Sequence, residues 1–240
     1  MSINKKIVKL LDKCFYSKYK NNWDDLMFRN AVLKNINKDS IVLDIGAGAG
    51  IVKEMNFSDI AKEVHGVDPD ERVVNNPNLT KGYIGTAENM DYFADNTFDL
   101  IICDNVLEHI SDKEAFLKEV KRVLKPGCLF MAKTPNFYHY MPIIASLTPD
   151  CFHEFYNKLR GRTEDDTFPT LYRLNTKRSI SKSAKKTGFS VEKISYFEGR
   201  PEYLRINFLT YIFGIIYERI VNIFKLNCFK IILICELKKK

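Results

Sequence analysis

Residues 40–50 read SIVLDIGAGAG, and no other stretch constrains the fold as much. Ile41, Val42, Leu43 and Ile45 are strand formers around Asp44, and Gly46, Gly48 and Gly50 then alternate with alanines. A strand ending in an acid and three glycines can turn tightly and let a ligand approach its backbone. Amides at the start of a following helix would point at that ligand. The dinucleotide fingerprint G-x-G-x-x-G would need glycine at 51, where this chain has Ile51. Asp44 lies two residues before the first glycine, where it would repel a pyrophosphate and suit a ligand carrying positive charge. The next strand ends HGVDPD, which places Asp68 twenty-two residues after Gly46, at a strand tip where a carboxylate can accept both hydroxyls of a ribose.

Around this turn the apolar pattern alternates between short runs and helical periods. Helices are expected over 3–34, with a break near Asn21 and Asn22, from about residue 50, and over 111–124. Strands are expected at 41–45, 63–67, 82–85, 98–103 and 127–133, the last entered through the Pro-Gly turn of VLKPGCLF. Strands alternating with helices predict an α/β fold with a doubly wound, mostly parallel sheet. After residue 134 the rhythm changes. Residues 135–175 are rich in Pro, Tyr, Phe and His; a helix at 177–187 ends at Gly188, and strands follow at 189–197 and 229–237. Between those strands, residues 202–224 are very apolar, with Asn207, Thr210, Gly214, Glu218 and Asn222 forming one narrow helical stripe. Glu218 and Arg219 argue against a membrane span. Burial against the sheet or in a dimer is expected for this helix, with a membrane surface as the alternative.

The five motifs VLDIGAGAG, GVDPD, GTAENM, FDLIICDNVLEHI and VKRVLKPGCLF, in this order over residues 41–133, resemble those of class I S-adenosylmethionine-dependent methyltransferases. The resemblance implies a seven-stranded Rossmann-like sheet with an antiparallel last strand and helical insertions. It implies one domain over 1–240: N-terminal helices in 1–40, a cofactor-binding core in 41–133, an acceptor-site insert in 134–176 and the rest of the sheet in 177–240. S-adenosylmethionine is the implied cofactor. Asp44 and the Gly46, Ala47, Gly48 and Gly50 backbone would hold its amino-acid end; Asp68 and Pro69 match the ribose segment. Thr86, Ala87 and Glu88 match the segment beside the adenine, although many relatives have Asp where this chain has Thr86. Asp104, Asn105 and Val106 would line the pocket near the sulfonium. Arg29 would reach the cofactor carboxylate, as an arginine does in some relatives, or be a surface helix arginine.

Methyl transfer from a sulfonium is an in-line displacement that needs a base only when the acceptor holds its proton tightly. His109, expected one turn into the helix after the fourth strand, is a base candidate or a pocket-lining residue. Its segment is similar to the E-x-x-E-H of ubiquinone-pathway O-methyltransferases, with Asn105 in place of the first glutamate; Glu108, His109 and an amide make a poor hard-cation site, so no metal is expected. In the insert, His139 and His153 are further base candidates, and Tyr138, Tyr140, Arg160, Tyr172 and Arg173 are candidate acceptor-binding residues. The implied activity is O-methylation of a small molecule or glycan, including a lipid-linked sugar; a quinone-type phenol, a nitrogen acceptor and a non-catalytic binding protein are the alternatives.

Charge bears on the partner. Residues 1–40 carry +5, residues 41–133 carry −6 and residues 134–240 carry +8. Such basic flanks suit anionic lipid, a phosphorylated substrate or nucleic acid, or are a solvated lysine-rich surface. DNVLEH lacks the Asn-Pro-Pro-Tyr-like signature of a flipped-base pocket, so nucleic acid is not the expected partner. The six cysteines show no C-x-x-C spacing, and the N-terminus shows no signal-peptide pattern; a reduced, cytoplasmic protein, monomeric or homodimeric, is expected, with peripheral contact at the inner membrane surface as an option.

Overall fold

A computed structural model describes residues 3–19, 22–147 and 169–240. The chain divides into two compact units, each assembled from separated segments. The larger holds residues 25–135, 170–195 and 233–240; the smaller holds residues 1–24, 136–169 and 196–232.

The larger unit is built on a seven-stranded sheet. Its strands are β1 (Ile41–Ile45), β2 (Glu63–Asp68), β3 (Lys81–Ile84), β4 (Phe98–Asp104), β5 (Leu124–Pro135), β6 (Phe189–Phe197) and β7 (Ile232–Lys239). They lie in the order β3-β2-β1-β4-β5-β7-β6, with β7 antiparallel to the rest. The expected sheet is therefore the one observed. Parallel strands are covered on both faces, which is why β1 is almost continuously apolar and Val42, Leu43 and Ile45 are buried. In register, Asp44 pairs with Gly66 of β2 and with Ile102 of β4. The chain leaves β1 to one side through β2 and β3, then returns to its other side with β4. That reversal leaves a crevice at the carboxyl ends of β1 and β4, where such sheets bind ligands.

Helix α3 (Lys113–Val123) begins where the Asp112 carboxylate accepts the amides of Glu114 and Ala115, at 2.9 and 3.0 Å. It buries Phe116, Leu117, Val120 and Val123. Helix α5 (Lys177–Thr187) packs on α3; a capping box of Thr176 and Ser179 opens it, and Gly188 in the left-handed conformation closes it. Helix α2 (Trp23–Val32) buries Phe28 and Val32.

The helix expected from residue 50 does not form. Residues Lys53–Met55 make a single 3₁₀ turn. The Arg29 guanidinium takes the carbonyls of Glu54 and Asn56, at 2.7 and 2.5 Å, which a continuing helix would need for its own ladder. The Asn56 side chain also accepts from Ser58, a local bond that competes with helix.

In the smaller unit, α1 (Ile3–Phe15), α4 (Tyr140–Leu147) and α6 (Phe208–Ile223) are the α-helices that lie wholly within it among the described residues. Val8, Tyr16, Tyr211 and Ile215 form a core with Leu11, Tyr19 and Phe208 packed against it. Helix α6 lies within the expected apolar stretch 202–224 and buries one of its faces. Its buried residues are Tyr211, Gly214, Ile215, Glu218 and Val221, so Gly214 and Glu218 of the stripe face inward, while Asn207, Thr210 and Asn222 are half-buried. Glu218 accepts from the Tyr16 hydroxyl at 3.0 Å and from Asn222 at 2.6 Å. Gly214 lies where a Cβ would come within 2.8 Å of Pro201. The hydrogen-bonding needs of Glu218 and the close approach at Gly214 fix which face is buried, and the aliphatic face is left outside.

Candidate active site

Three glycines with positive φ leave β1: Gly46 at 80°, Gly48 at 49° and Gly50 at 74°. Two of them have no room for a side chain. A Cβ at Gly46 would lie 2.1 Å from Val106 Cγ2, and one at Gly50 would lie 2.3 Å from Asn76 Oδ1. Gly48 is open by contrast; its nearest neighbour is Asp68 Oδ2, at 3.9 Å. The turn is pinned by the Gly46 amide, which donates to the Val67 carbonyl at 2.8 Å.

Asp68, at the tip of β2, organises this end of the sheet. Its Oδ2 accepts the Gly48 amide at 2.9 Å, and its Oδ1 accepts the Asp70 amide at 2.8 Å. Pro69 between them has no N–H and is exposed. Asn76 and Asn78, unnoticed in the sequence, lace the turn from outside. Asn76 donates to the Ala47 and Gly48 carbonyls at 2.9 and 3.1 Å, and Asn78 donates to the Gly50 carbonyl at 3.1 Å. The cluster NNPN was their only signal, and it reads as an ordinary loop.

Asp44, Asp68 and Asp104 stand at the tips of β1, β2 and β4. Burial, and then the charges of Asp104 and Asp68, push the Asp44 carboxyl well above the usual carboxylate range. Lys133, fully buried on β5, answers part of this charge: it lies 3.0 Å from Asp104 and also pairs with Asp25. Asn105 follows in the left-handed region, at φ 53°, with its amide on the Lys133 carbonyl, and Val106 meets the glycine turn.

His109 does not sit inside a helix. Residues 105–110 form turns, α3 begins only at Lys113, and the His109 amide donates to the Val106 carbonyl at 2.8 Å. Asp112 is the better helix cap and sets the later start. His109 is half-buried. Glu108, beside it, points into the protein, where Thr134 donates to its carboxylate at 2.8 Å and Asn175 donates to Thr134 at 2.6 Å. Burial raises the Glu108 carboxyl to about 7. Its backbone carbonyl accepts the amides of Leu171 and Tyr172.

The Thr86–Glu88 segment is tied to β2 through the Gly85 amide on the Asp68 carbonyl, at 3.0 Å. Thr86 is exposed and Ala87 is buried, while Glu88 accepts from Ser111. Arg29 is occupied by the 54–56 turn and stacks over Phe57 at 4.9 Å. Arg173 donates to the Ser111 carbonyl.

Tyr138, His139 and Tyr140 belong to the smaller unit, and His153 and Arg160 lie outside the described residues. Tyr138 is exposed, and Tyr140 packs against His139 and Tyr217. Burial lowers His139 to about 3, so the ring is neutral. Its Nδ1 accepts the Met141 amide, which leaves the proton on Nε2, 3.6 Å from Glu198. Glu198 is pushed up to about 8, chiefly by burial. It therefore binds its proton more tightly folded than unfolded, and that stabilisation is complete below about 4.5 and lost as pH rises to about 8. Glu198→Gln should accordingly raise the melting temperature relative to the parent at pH 9 more than at pH 5, with an upper bound of about 5 kcal/mol. Thermal unfolding across that range checks it, and equal shifts at both ends would contradict it.

The family profile described as "Methyltransferase domain" matches residues 43–132, which hold the glycine turn, Asp68 and the β4 tip. Over these residues the chain is similar to S-adenosylmethionine-dependent methyltransferases. The chain is 36% identical over 116 residues to a ubiquinone biosynthesis O-methyltransferase of Bradyrhizobium sp. (strain ORS 278), covering 45% of each chain. It is 36% identical over 131 residues to the uncharacterized methyltransferase YcgJ of Bacillus subtilis, covering 50% of this chain and 47% of that one. The chain thus spans about half the length of the curated relatives it matches. The crystal structure of YcgJ shares the fold with a TM-score of 0.54 at 21% identity, covering 89% of this chain and 99% of that one. A S-adenosylmethionine-dependent methyltransferase from Aquifex aeolicus gives 0.53 at 17% identity, covering 98% of both.

The residues of the methyltransferase domain fit its cofactor. Each Asp68 oxygen already accepts one amide and keeps a lone pair for a ribose hydroxyl. Gly48 leaves room at the turn, and the three carboxylates favour a ligand with cationic ammonium and sulfonium groups over a phosphate.

Proposed function

We propose that this protein transfers the methyl group of S-adenosylmethionine to an oxygen of a small-molecule or glycan acceptor. The observation that carries the cofactor half is Asp68, whose carboxylate joins the β2 tip to Gly48 of the glycine turn. When bound, the cofactor supplies a methyl already activated on a sulfonium. The chain's work is then to bind and orient, which can supply roughly 7–11 kcal/mol of the barrier. Asp68 would hold the ribose, Asp44 and the Gly46–Gly50 backbone the amino-acid end, and Ala87 with Glu88 the adenine side. Asp104, Asn105 and Val106 would line the approach to the methyl.

An alcohol acceptor must lose its proton, and we assign that to His109. It is half-buried on the turn whose Val106 abuts Gly46, so it stands beside the cofactor segment. His65 is committed to Glu63 within β2, and His139 is buried and neutral. His109→Ala is expected to lower kcat by about a hundredfold or more at unchanged cofactor affinity. Unaltered turnover would assign His109 to lining the pocket.

Oxygen is favoured as the acceptor atom because the ubiquinone biosynthesis relatives are named O-methyltransferases. Their names also support a second reading, a quinone-type phenol. Calorimetry with S-adenosylmethionine, followed by S-adenosylhomocysteine release with sugar-bearing and phenolic acceptors, tests both. Lack of binding at millimolar cofactor would overturn the proposal.

A further inference from the structure

We propose that the outward face of α6 and the loop after it dock the protein on an anionic bilayer surface. The helix buries Gly214 and Glu218 of its stripe together with Tyr211, Ile215 and Val221, and leaves its large aliphatic and aromatic residues on the other side. On the outside, Phe213, Ile223 and Phe224 are 69%, 70% and 69% exposed, and Leu209, Ile216 and Ile220 are exposed with them. The spacing 209, 213, 216, 220, 223 is one helical face, and the loop continues it with Leu226 and Phe229. A contiguous apolar face of this kind on a water-facing helix marks a contact surface.

Charge selects the occupant. From Tyr203 to Lys230 the only acid is Glu218, and it is buried. The exposed or half-exposed charges beside the apolar face are Arg219, Lys225 and Lys230. Arg219 retains a contact to Glu218 at 3.4 Å while half of its side chain meets solvent. Helix α1, packed beside α6, exposes Lys6, Lys9 and Lys13, whereas its one acid, Asp12, is held by Arg205 and Tyr211. Among the described residues, the charges exposed beside this apolar face are cations, which matches acyl chains beneath anionic headgroups. A second copy meeting it symmetrically would set these cations against their own counterparts. At 16 residues α6 is about 24 Å long, too short for a hydrocarbon core of about 30 Å, so it lies in the interface plane. Among the described residues no helix is long and apolar enough to cross a membrane.

The docking does not depend on what the enzyme methylates, and vesicle flotation of the full chain tests it without any acceptor. The protein should float with phosphatidylcholine vesicles containing about one-third phosphatidylglycerol, and at least fivefold less with phosphatidylcholine alone or at high salt. The exposed triple substitution Phe213→Ser, Ile216→Ser and Phe224→Ser should cut flotation at least tenfold while thermal unfolding and S-adenosylmethionine binding hold. Lys225→Glu with Lys230→Glu should weaken the anionic preference in the same assay. Failure of the parent to float, or flotation of the triple variant at the parent level, would overturn the proposal. So would a concentration-dependent dimer in sedimentation that the triple substitution dissociates, which would give the face to a second copy.

Discussion

Asp68→Ala is expected to raise the dissociation constant for S-adenosylmethionine by tenfold or more, the largest single loss in the cofactor site. Two effects add. The ribose loses charge-assisted hydrogen bonds worth about 1.5–3 kcal/mol. The Gly48 and Asp70 amides lose the acceptor that now holds them at 2.9 and 2.8 Å, so the glycine turn loses its brace to β2. Asp68→Asn separates the two. The amide keeps one oxygen and substitutes a donor for the other, so one backbone amide is left facing an N–H. Asn should therefore fall between Asp and Ala by calorimetry. An unchanged affinity in the alanine variant would mean that the ribose is held elsewhere.

Lys133→Met should be the most destabilising substitution of a charged group, at about 3–5 kcal/mol, the usual consequence of breaking a buried pair from one side. Lys133 is fully buried between Asp25 and Asp104, and its loss leaves both carboxylates poorly solvated. In a chain of this size that corresponds to a fall in melting temperature of roughly 10 °C. The combination Lys133→Met, Asp25→Asn should recover part of the loss, because fewer uncompensated charges remain. Recovery read by thermal unfolding distinguishes this account from simple loss of packing, for which the second substitution would add damage.

These two residues show how unevenly the site could be read from the chain. Asp68 was legible because its position is set locally: it ends an apolar run and follows the glycine turn at a fixed distance, and parallel pairing brings both to the same edge. Lys133 carried no such mark. Its meaning depends on Asp25 and Asp104, 108 and 29 residues away in the chain, which only the β4–β5 register and α2 bring together. Asn76 and Asn78 were missed for the same reason, since their partners are carbonyls 28 or 29 residues earlier. The absent helix after Gly50 was misjudged because Arg29, remote in sequence, captures the carbonyls that the helix required.

By itself the sequence determined the alternation of strands and helices, the glycine turn and the acids at the strand tips. Those features follow from short continuous apolar runs, from period-3.6 burial and from closely spaced glycines, which are local properties of the chain. Tertiary structure alone decided the outcome for 202–224. A helix with a narrow stripe of four polar residues and Gly214 and a long apolar face has two possible orientations, and periodicity cannot choose between them. Glu218 chose, because a buried carboxylate needs Tyr16 and Asn222 as donors, and Tyr16 comes from the other end of the chain. Once that bond formed inside, the aliphatic face had nowhere to go but out.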